Sequence, residues 1–423
     1  MKRIHRMIVC SLLVALVSAW SVSFAAPVRM TFWNGIGPPE AEILSSFVKE
    51  FNEKYNGQYF VEETLMKWDT LYSKLLIDYR AGNPPNVLTF HQPAMKQYVS
   101  LGVLQDINKT AVARAGFREQ DYVATAWKGS TISGKRYAIP IDMHPWALYY
   151  NRTLFKAAGL PDRAPQNMEE FLNFAQKLTV DANKDGKIDQ WGFGYQYNGA
   201  VPHRFLITLL AQKKKSLLTK NLKQAAFNNS DTKEALQFLH DLVYKYKVTP
   251  ERETDPSGDF MRGSVAMILD GPWNLGDFKA AKNLDFMTAP VPKFYERQAV
   301  WGSSHVMVMA RNKNRGVNDT ALKFMAFVNS KGYEWTSKAG HMPIRKDILN
   351  GTKFKELKEW QAFADSLAFM VYYPSIDQYS QVFTSDPASP LVKMTESVLL
   401  GKESVDKAVK IGADSLNQLL SDE

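Results

Sequence analysis

Short apolar strands alternating with amphipathic helices at the start of the chain constrain its fold more than any other feature. Val28 to Trp33 reads as a strand, and Pro38-Pro39 opens a helix whose Ile43, Leu44, Phe47, Val48, Phe51 and Tyr55 keep helical spacing. Gln58 to Glu62 predicts a second strand, Trp68 to Tyr79 a second helix, and Val87 to Phe90 a third strand. A β-α-β-α-β start demands a parallel sheet covered by helices, with right-handed crossovers. Helices and strands continue to alternate. Asn167 with Glu170 predicts a capped helix over Met168–Leu178, and Asp231 with Glu234 a second one carrying Leu236, Leu239, Leu242 and Val243. Val405, Val409, Leu416 and Leu420 mark a last amphipathic helix.

Residues 1–25 have a separate fate. Lys2, Arg3 and Arg6 form a basic start, Met7 to Val17 an apolar run, and Ser23-Phe24-Ala25 a small-x-small ending. This predicts a secretory signal peptide cleaved after Ala25 and a periplasmic destination. The single Cys10 lies inside that segment, preceded by Val9 and too early for a lipid-anchored start. The exported chain therefore carries no thiol nucleophile and no disulfide. Residues 26–423 exceed what one hydrophobic core organises, so two lobes are expected. Removing the three leader cations lowers the formal charge from +9 to +6. Basic residues are scattered except for Lys213-Lys214-Lys215, which reads as a solvated face; no nucleic-acid partner is expected. A monomer is expected.

An open parallel sheet binds its ligand beyond the carboxyl ends of its strands. The residues at such ends are Trp33-Asn34-Gly35, Trp68, His91-Gln92, then Asp142, His144 and Trp146 around a later strand break, and Trp301-Gly302-Ser303. To these the strand Val265 to Leu269 adds Trp273, delivered by a Gly271-Pro272 turn. Indole rings, amides and hydroxyls suit a sugar, whose C–H faces lie on aromatic rings and whose hydroxyls need paired donors and acceptors. No reaction chemistry is evident in the set.

Four motifs carry a resemblance. They are Phe32-Trp33-Asn34-Gly35 with its following helix, Gly134 to Pro140 with Leu148-Tyr149-Tyr150-Asn151, Gly263 to Met267 with Asp270-Gly271-Pro272-Trp273, and Gly340-His341-Met342-Pro343-Ile344-Arg345. In this order they resemble the solute-binding proteins of bacterial ABC importers, in the carbohydrate-binding family that includes maltose-binding protein. The resemblance implies an α/β fold of two lobes, each a mostly parallel sheet flanked by helices, joined by hinge strands around a solute cleft. It places lobe 1 at 26–138 plus 296–338 and lobe 2 at 143–290 plus 341–423, with crossings near 139–142, 290–295 and 339–341. It also implies that closure over a carbohydrate, with an oligosaccharide the leading expectation, precedes docking on inner-membrane permease subunits.

The same resemblance assigns roles. Trp273 stacks under a pyranose ring or packs in the core. Arg345 holds ligand hydroxyls or acids, or makes a surface ion pair. His91 and Gln92 offer polar contacts. Relatives carry an acid near His144 that this chain lacks; Asp142 substitutes for it, or His144 serves the hinge. Trp33 is cleft floor or core. Gly302 lets backbone approach the ligand, and Ser303 donates a hydroxyl or shapes the turn. Tyr373 and Tyr379 supply late aromatics.

Asp181, Asn183, Asp185 and Asp189 stand at positions 1, 3, 5 and 9 of a calcium-type loop, with Gly186 at its turn and the Lys187 carbonyl at position 7. Gly192 replaces the usual bidentate Glu. A structural calcium is one reading and a metal-free turn the other; no other cofactor is expected. An acidic sugar (a uronate) or a glycerophosphate-type solute is the alternative ligand. A secreted glycoside hydrolase or lyase using Asp142 and Asp270 is the distant alternative, and no Gly-x-Ser-x-Gly or His-Glu-x-x-His motif supports an enzyme.

Overall fold

The computed structural model describes residues 26–312 and 314–421, so the expected leader lies outside the described residues. The initial alternation forms as β1 (Val28–Asn34), α1 (Glu40–Lys54), β2 (Tyr59–Leu65), α2 (Trp68–Arg80) and β3 (Val87–His91). The first two strands are parallel in register Val28↔Tyr59, and β3 lies parallel to β1 on its other side. The apolar stripe of α1 is buried through Leu44, Phe47, Val48 and Phe51. Phe51 and Phe32 both meet Phe324 edge-on, at 5.3 and 5.2 Å, on a helix over Arg315–Ser330 that also covers this sheet. Burying such aromatic pairs contributes to the core beyond area alone.

The chain then runs through three short strands, β4 (Ala138–Pro140), β5 (Asp142–Pro145) and β6 (Ala147–Asn151), each in a different sheet. Later come β7 (Met267–Asp270), β8 (Phe286–Ala289), β9 (Val300–Ser303) and β10 (His305–Met309). The first sheet is completed by β10, antiparallel to both β3 and β4. Its neighbour is built on β6 between β7 and β8, both antiparallel to it. This second sheet departs from the mostly parallel expectation: β6 is flanked by strands that return across it, and parallel pairing there is confined to the bridges Trp191↔Val265 and Gly194↔Ile268.

Between the two lies a small sheet in which β5 pairs β9 and the two-residue β11 (Met342–Pro343), and β9 pairs β12 (Met370–Val371). The second crossing therefore runs along Val300–His305, not 290–295, because β9 belongs to this middle sheet and β10 to the first. Residues 290–295 instead pack on the second lobe, where Gln212 holds the backbone N–H groups of Phe294 and Tyr295.

Local signals resolve in detail. Asn167 caps its helix by accepting from the Glu170 N–H at 2.9 Å. The next helix, Ser230–Tyr244, is capped by Asn229 and not by Asp231. Asp231 is diverted to Lys213 and Lys215, so the lysine triplet is an ion-paired face. The predicted strand at 265–269 shifts to Met267–Asp270, because Val265 bridges Trp191 instead. Among the described residues, no helix is long and apolar enough to cross a membrane.

Candidate functional site

Strand register assembles the site. Across β10 and β3, His305 lies opposite His91; across β9 and β5, Ser303 lies opposite His144. Pairing of β11 with β5 sets Pro343 opposite Asp142 and so brings His341 alongside. Two sheets, the first and the middle one, thus contribute to one wall. Trp68, at the start of α2, stacks on His305 with centroids 5.6 Å apart at 11°, and Trp273 meets His144 edge-on at 5.9 Å.

These groups border a cavity of about 460 Å³, within the roughly 300–1,000 Å³ typical of small-molecule sites. Of the expected residues, Trp68, His91, His144, Trp273, Ser303, Tyr373 and Tyr379 line it. The opposite rim adds Arg204, Trp301, Phe383 and Thr384, and Lys67, Asp69 and Glu40 bring charge.

Asp142 does not line the cavity; it is the hub behind it. Its carboxylate is 0% exposed. It accepts from the His305 backbone N–H at 3.0 Å and Trp335 Nε1 at 2.9 Å, and it meets Nδ1 of His144 at 3.1 Å and of His305 at 3.0 Å. Burial alone would raise its pKa, but His305, His341 and His144 outweigh this and hold it well below the usual carboxylate range. With Nδ1 donating to Asp142, His144 keeps Nε2 as an acceptor. His91 has the other polarity: the Tyr72 hydroxyl accepts from the His91 backbone N–H at 3.2 Å and shares a 2.8 Å bond with Nδ1, leaving Nε2–H as a donor. Burial, followed by His305 and His144, pushes the His91 pKa well below its ordinary value. Burial likewise drives His144 down to about 3, so this imidazole is neutral.

Several buried polar atoms here have no hydrogen-bond partner among the described residues: Ser303 Oγ, Arg204 Nε, Trp301 Nε1 and both ring nitrogens of His341. Buried polar groups are rarely left unpaired, and all four residues line the cavity, which marks them as contacts awaiting a ligand. Arg204 is held by its guanidinium lying 4.3 Å over the Trp301 ring.

The remaining expected residues have other work. Trp33 is 7% and Trp146 1% exposed, both within the core, and Trp146 packs edge-on against Trp301. Asn34 donates to Glu63 and accepts from Ile36, fixing the turn after β1. Gly35 makes room for Trp68, whose ring a Cβ there would approach to 2.5 Å. Gln92 packs under Gly129, where a Cβ would lie 1.9 Å from its amide. Gly302 serves strand packing and not a ligand: its Cβ would meet Pro145 Cα at 2.8 Å and Met370 Sδ at 2.3 Å. Arg345 lies outside the cavity lining in a bidentate pair with Asp347 (3.0 and 2.6 Å). Asp270, the second carboxylate of the enzyme alternative, accepts from Ser257, Asn274 and its neighbouring Gly271 N–H. Burial pushes it up to about 6.

Sequence reasoning missed Arg204, His305 and His341. His341 stands inside a quoted motif beside Gly340, and His305 lies two residues past Ser303; their imidazoles were the available signal. Arg204 sits within the helix Ala200–Gln212, with nothing local to mark it.

In the 181–189 loop, the Asp181 carboxylate accepts from the Asp185 and Gly186 N–H groups, and Asp189 from Ala182. Position 12 is glycine by necessity: a Cβ on Gly192 would lie 1.9 Å from the Ala175 carbonyl oxygen. The loop can therefore offer a cation the oxygens of Asp181, Asn183, Asp185, Asp189 and the Lys187 carbonyl, but no carboxylate at its end.

With this geometry in hand, known proteins can be compared. A family profile described as bacterial extracellular solute-binding protein matches residues 46–364. The sn-glycerol-3-phosphate-binding periplasmic protein of Pectobacterium atrosepticum is 22% identical, over 95% of this chain and 93% of its own length. A solute-binding protein of an ABC transporter from Thermotoga lettingae, solved with α-D-tagatose, superposes with a TM-score of 0.80 at 26% identity, covering 93% of this chain and 100% of that one. The maltodextrin-binding domain from Bdellovibrio bacteriovorus, solved with maltotriose, gives 0.80 at 20% identity over 93% and 100%.

Proposed function

The chain belongs to the bacterial extracellular solute-binding proteins, and from that premise we propose that it captures a neutral carbohydrate between its lobes and passes it unaltered to permease subunits of an ABC importer. One observation carries the choice of ligand. The cavity combines indole and phenol faces with imidazoles of opposite polarity, an acceptor at His144 and a donor at His91. Hydroxyls, each donor and acceptor at once, match that alternation. A monoanionic or dianionic solute fits less well, because Glu40 and Asp69 on the lining offset Arg204 and Lys67, which leaves no surplus of fixed positive charge for an anion. The glycerophosphate alternative draws on a relative's specificity and on the unpaired Arg204 Nε.

The lobes are proposed to close on the solute by rotation about the middle sheet, working as a monomer in the periplasm. Ligand favours the closed state only through contacts that both lobes make at once. Trp68 and His91 come from the first lobe and Trp273, Arg204 and Tyr373 from the second, so a solute touching both sets supplies that bias. The 181–189 loop is proposed as a five-oxygen calcium site of structural role.

Calorimetry with a panel of neutral sugars, uronates and glycerol 3-phosphate tests the ligand class, with recovered solute checked by mass. Micromolar or tighter binding of a neutral sugar, returned intact, is expected. Binding confined to the phosphate or uronate, or a cleaved product, would overturn the reading.

A further inference from the structure

Two carboxylates sit at the back of the cleft with no ordinary counter-charge. Asp142 is fully buried and Glu40 is 8% exposed, yet among the described residues neither pairs with a lysine or arginine. Their only cationisable neighbours are imidazoles: His144 and His305 against Asp142, and His341 between the two, 3.7 Å from Asp142 Oδ2 and 3.6 Å from Glu40 Oε1. Burying charge without compensation is costly, and a divalent cation would balance this pair.

The spacing suits such an ion. Asp142, His144, His305 and His341 each bring one donor atom within 4.8 Å of the others, and all four residues are buried. Two ligands each about 2.0–2.2 Å from a zinc-type ion lie about 3.0–3.5 Å apart at ordinary coordination angles. The contacts of His144 and His305 to Asp142, 3.1 and 3.0 Å, satisfy that spacing but are equally hydrogen bonds. His341 separates the two explanations. At 1% exposure it makes no hydrogen bond through either ring nitrogen, and its distances to both carboxylates are too long for one. Its ring is nonetheless held, stacked on Trp335 at 5.4 Å and 5°, while Trp335 Nε1 donates to Asp142. An oriented, buried and unpaired imidazole beside a carboxylate that is itself fixed by a neighbour's N–H is how metal ligands are supported.

We propose that this wall of the cleft binds one divalent transition-metal ion of the zinc class, with His144, His305, His341 and Asp142 as ligands. Three imidazoles and one carboxylate select a borderline-soft ion over calcium or magnesium. Binding through the nitrogen that faces Asp142 moves the proton of neutral His144 to the opposite ring nitrogen. No proton is lost there, and an acceptor on the cavity wall becomes a donor. The ion would thus reset which hydroxyl pattern the cleft accepts. The metal site itself rests on none of the solute reading, since it is measured with no solute present.

Competition titration of the chelator-stripped protein against a chromophoric zinc chelator at pH 7.5, with cobalt(II) absorption as a second readout, tests it. One zinc per chain is expected, with a visible cobalt spectrum. His341→Ala should weaken zinc at least tenfold. Because its ring is buried against Trp335, the variant is also expected to melt lower in chelator, so zinc affinity of the folded protein, and not stability, is the readout. His240→Ala, on the exposed face of the helix Ser230–Tyr244, should bind zinc like the parent. Absence of stoichiometric binding overturns the proposal, as does zinc affinity equal to the parent's in both His341→Ala and His305→Ala. Stabilisation by mild acid with no response to zinc would assign the charge balance to protonated histidines and overturn it too.

Discussion

At the scale of single residues, what separates a ligand contact from a core side chain is whether its neighbours already satisfy it. Trp146 and Trp273 are both turn-proximal indoles, but Trp146 is enclosed at 1% exposure while Trp273 keeps a face on the cavity. Trp273→Ala is expected to weaken the best carbohydrate by about 1 kcal/mol or more, roughly fivefold, read by calorimetry. Arg345→Ala should leave that affinity unchanged, since its guanidinium is spent on Asp347. His203 gives a pH signature. It is fully buried, bonded to the Tyr373 hydroxyl at 2.9 Å, and burial, with Arg204 adding to it, drives its pKa from 6.5 down to about 3. The unfolded chain takes up this proton below pH 6.5 and the folded chain does not until about 3, so stability is full above 6.5 and falls as pH drops. At pH 5 the loss is about 2 kcal/mol from this group. Melting curves of His203→Gln should show a shallower decline between pH 7 and 5 than the parent.

At the scale of elements, the loop at 181–189 and the strand β9 show packing deciding what a glycine means. Gly192 stands where a calcium loop would carry its last acid, and the Ala175 carbonyl leaves no room for one. A loop limited to five oxygens should bind calcium weakly. Millimolar calcium against chelator is expected to raise the melting temperature by a degree or two, and identical curves would leave it a metal-free turn. Gly192→Ala should destabilise by about 1–3 kcal/mol through overpacking, measured by denaturant midpoint. The early β-α-β-α-β run was readable because each element carries its own hydrophobic period. The cap at Asn229 was displaced from Asp231 because lysines elsewhere in the chain competed for that carboxylate.

At the scale of the whole molecule, the lobes also meet away from the cavity. Lys96 reaches Asp377 at 2.9 Å, and Gln97 accepts from the Ser380 hydroxyl at 2.7 Å and backbone N–H at 3.1 Å. These pairs join the helix after β3 to the C-terminal segment, so they should hold only while the cleft is shut. Because the ion pair is a third exposed on each side, its share is small, up to about 1 kcal/mol. Lys96→Ala with Gln97→Ala is expected to lower solute affinity severalfold through faster release. Solution scattering of the double variant should show a larger unliganded radius or an unchanged one; a larger effect on affinity than on radius would locate the loss in the closed form.

The amino-acid order alone determined the α/β class and the need for two lobes. Each of these follows from local periodicity or chain length, and neither requires knowing who pairs with whom. Which residues share the cleft was decided only by register between strands far apart in the chain, which set His144, His305 and His341 around Asp142 and His91 opposite His305. The same long-range pairing moved the second crossing to Val300–His305 and retired Trp33, Gln92 and Gly302 to packing. Burial and partnering belong to the folded molecule, because they depend on the free space left after every other side chain has been placed.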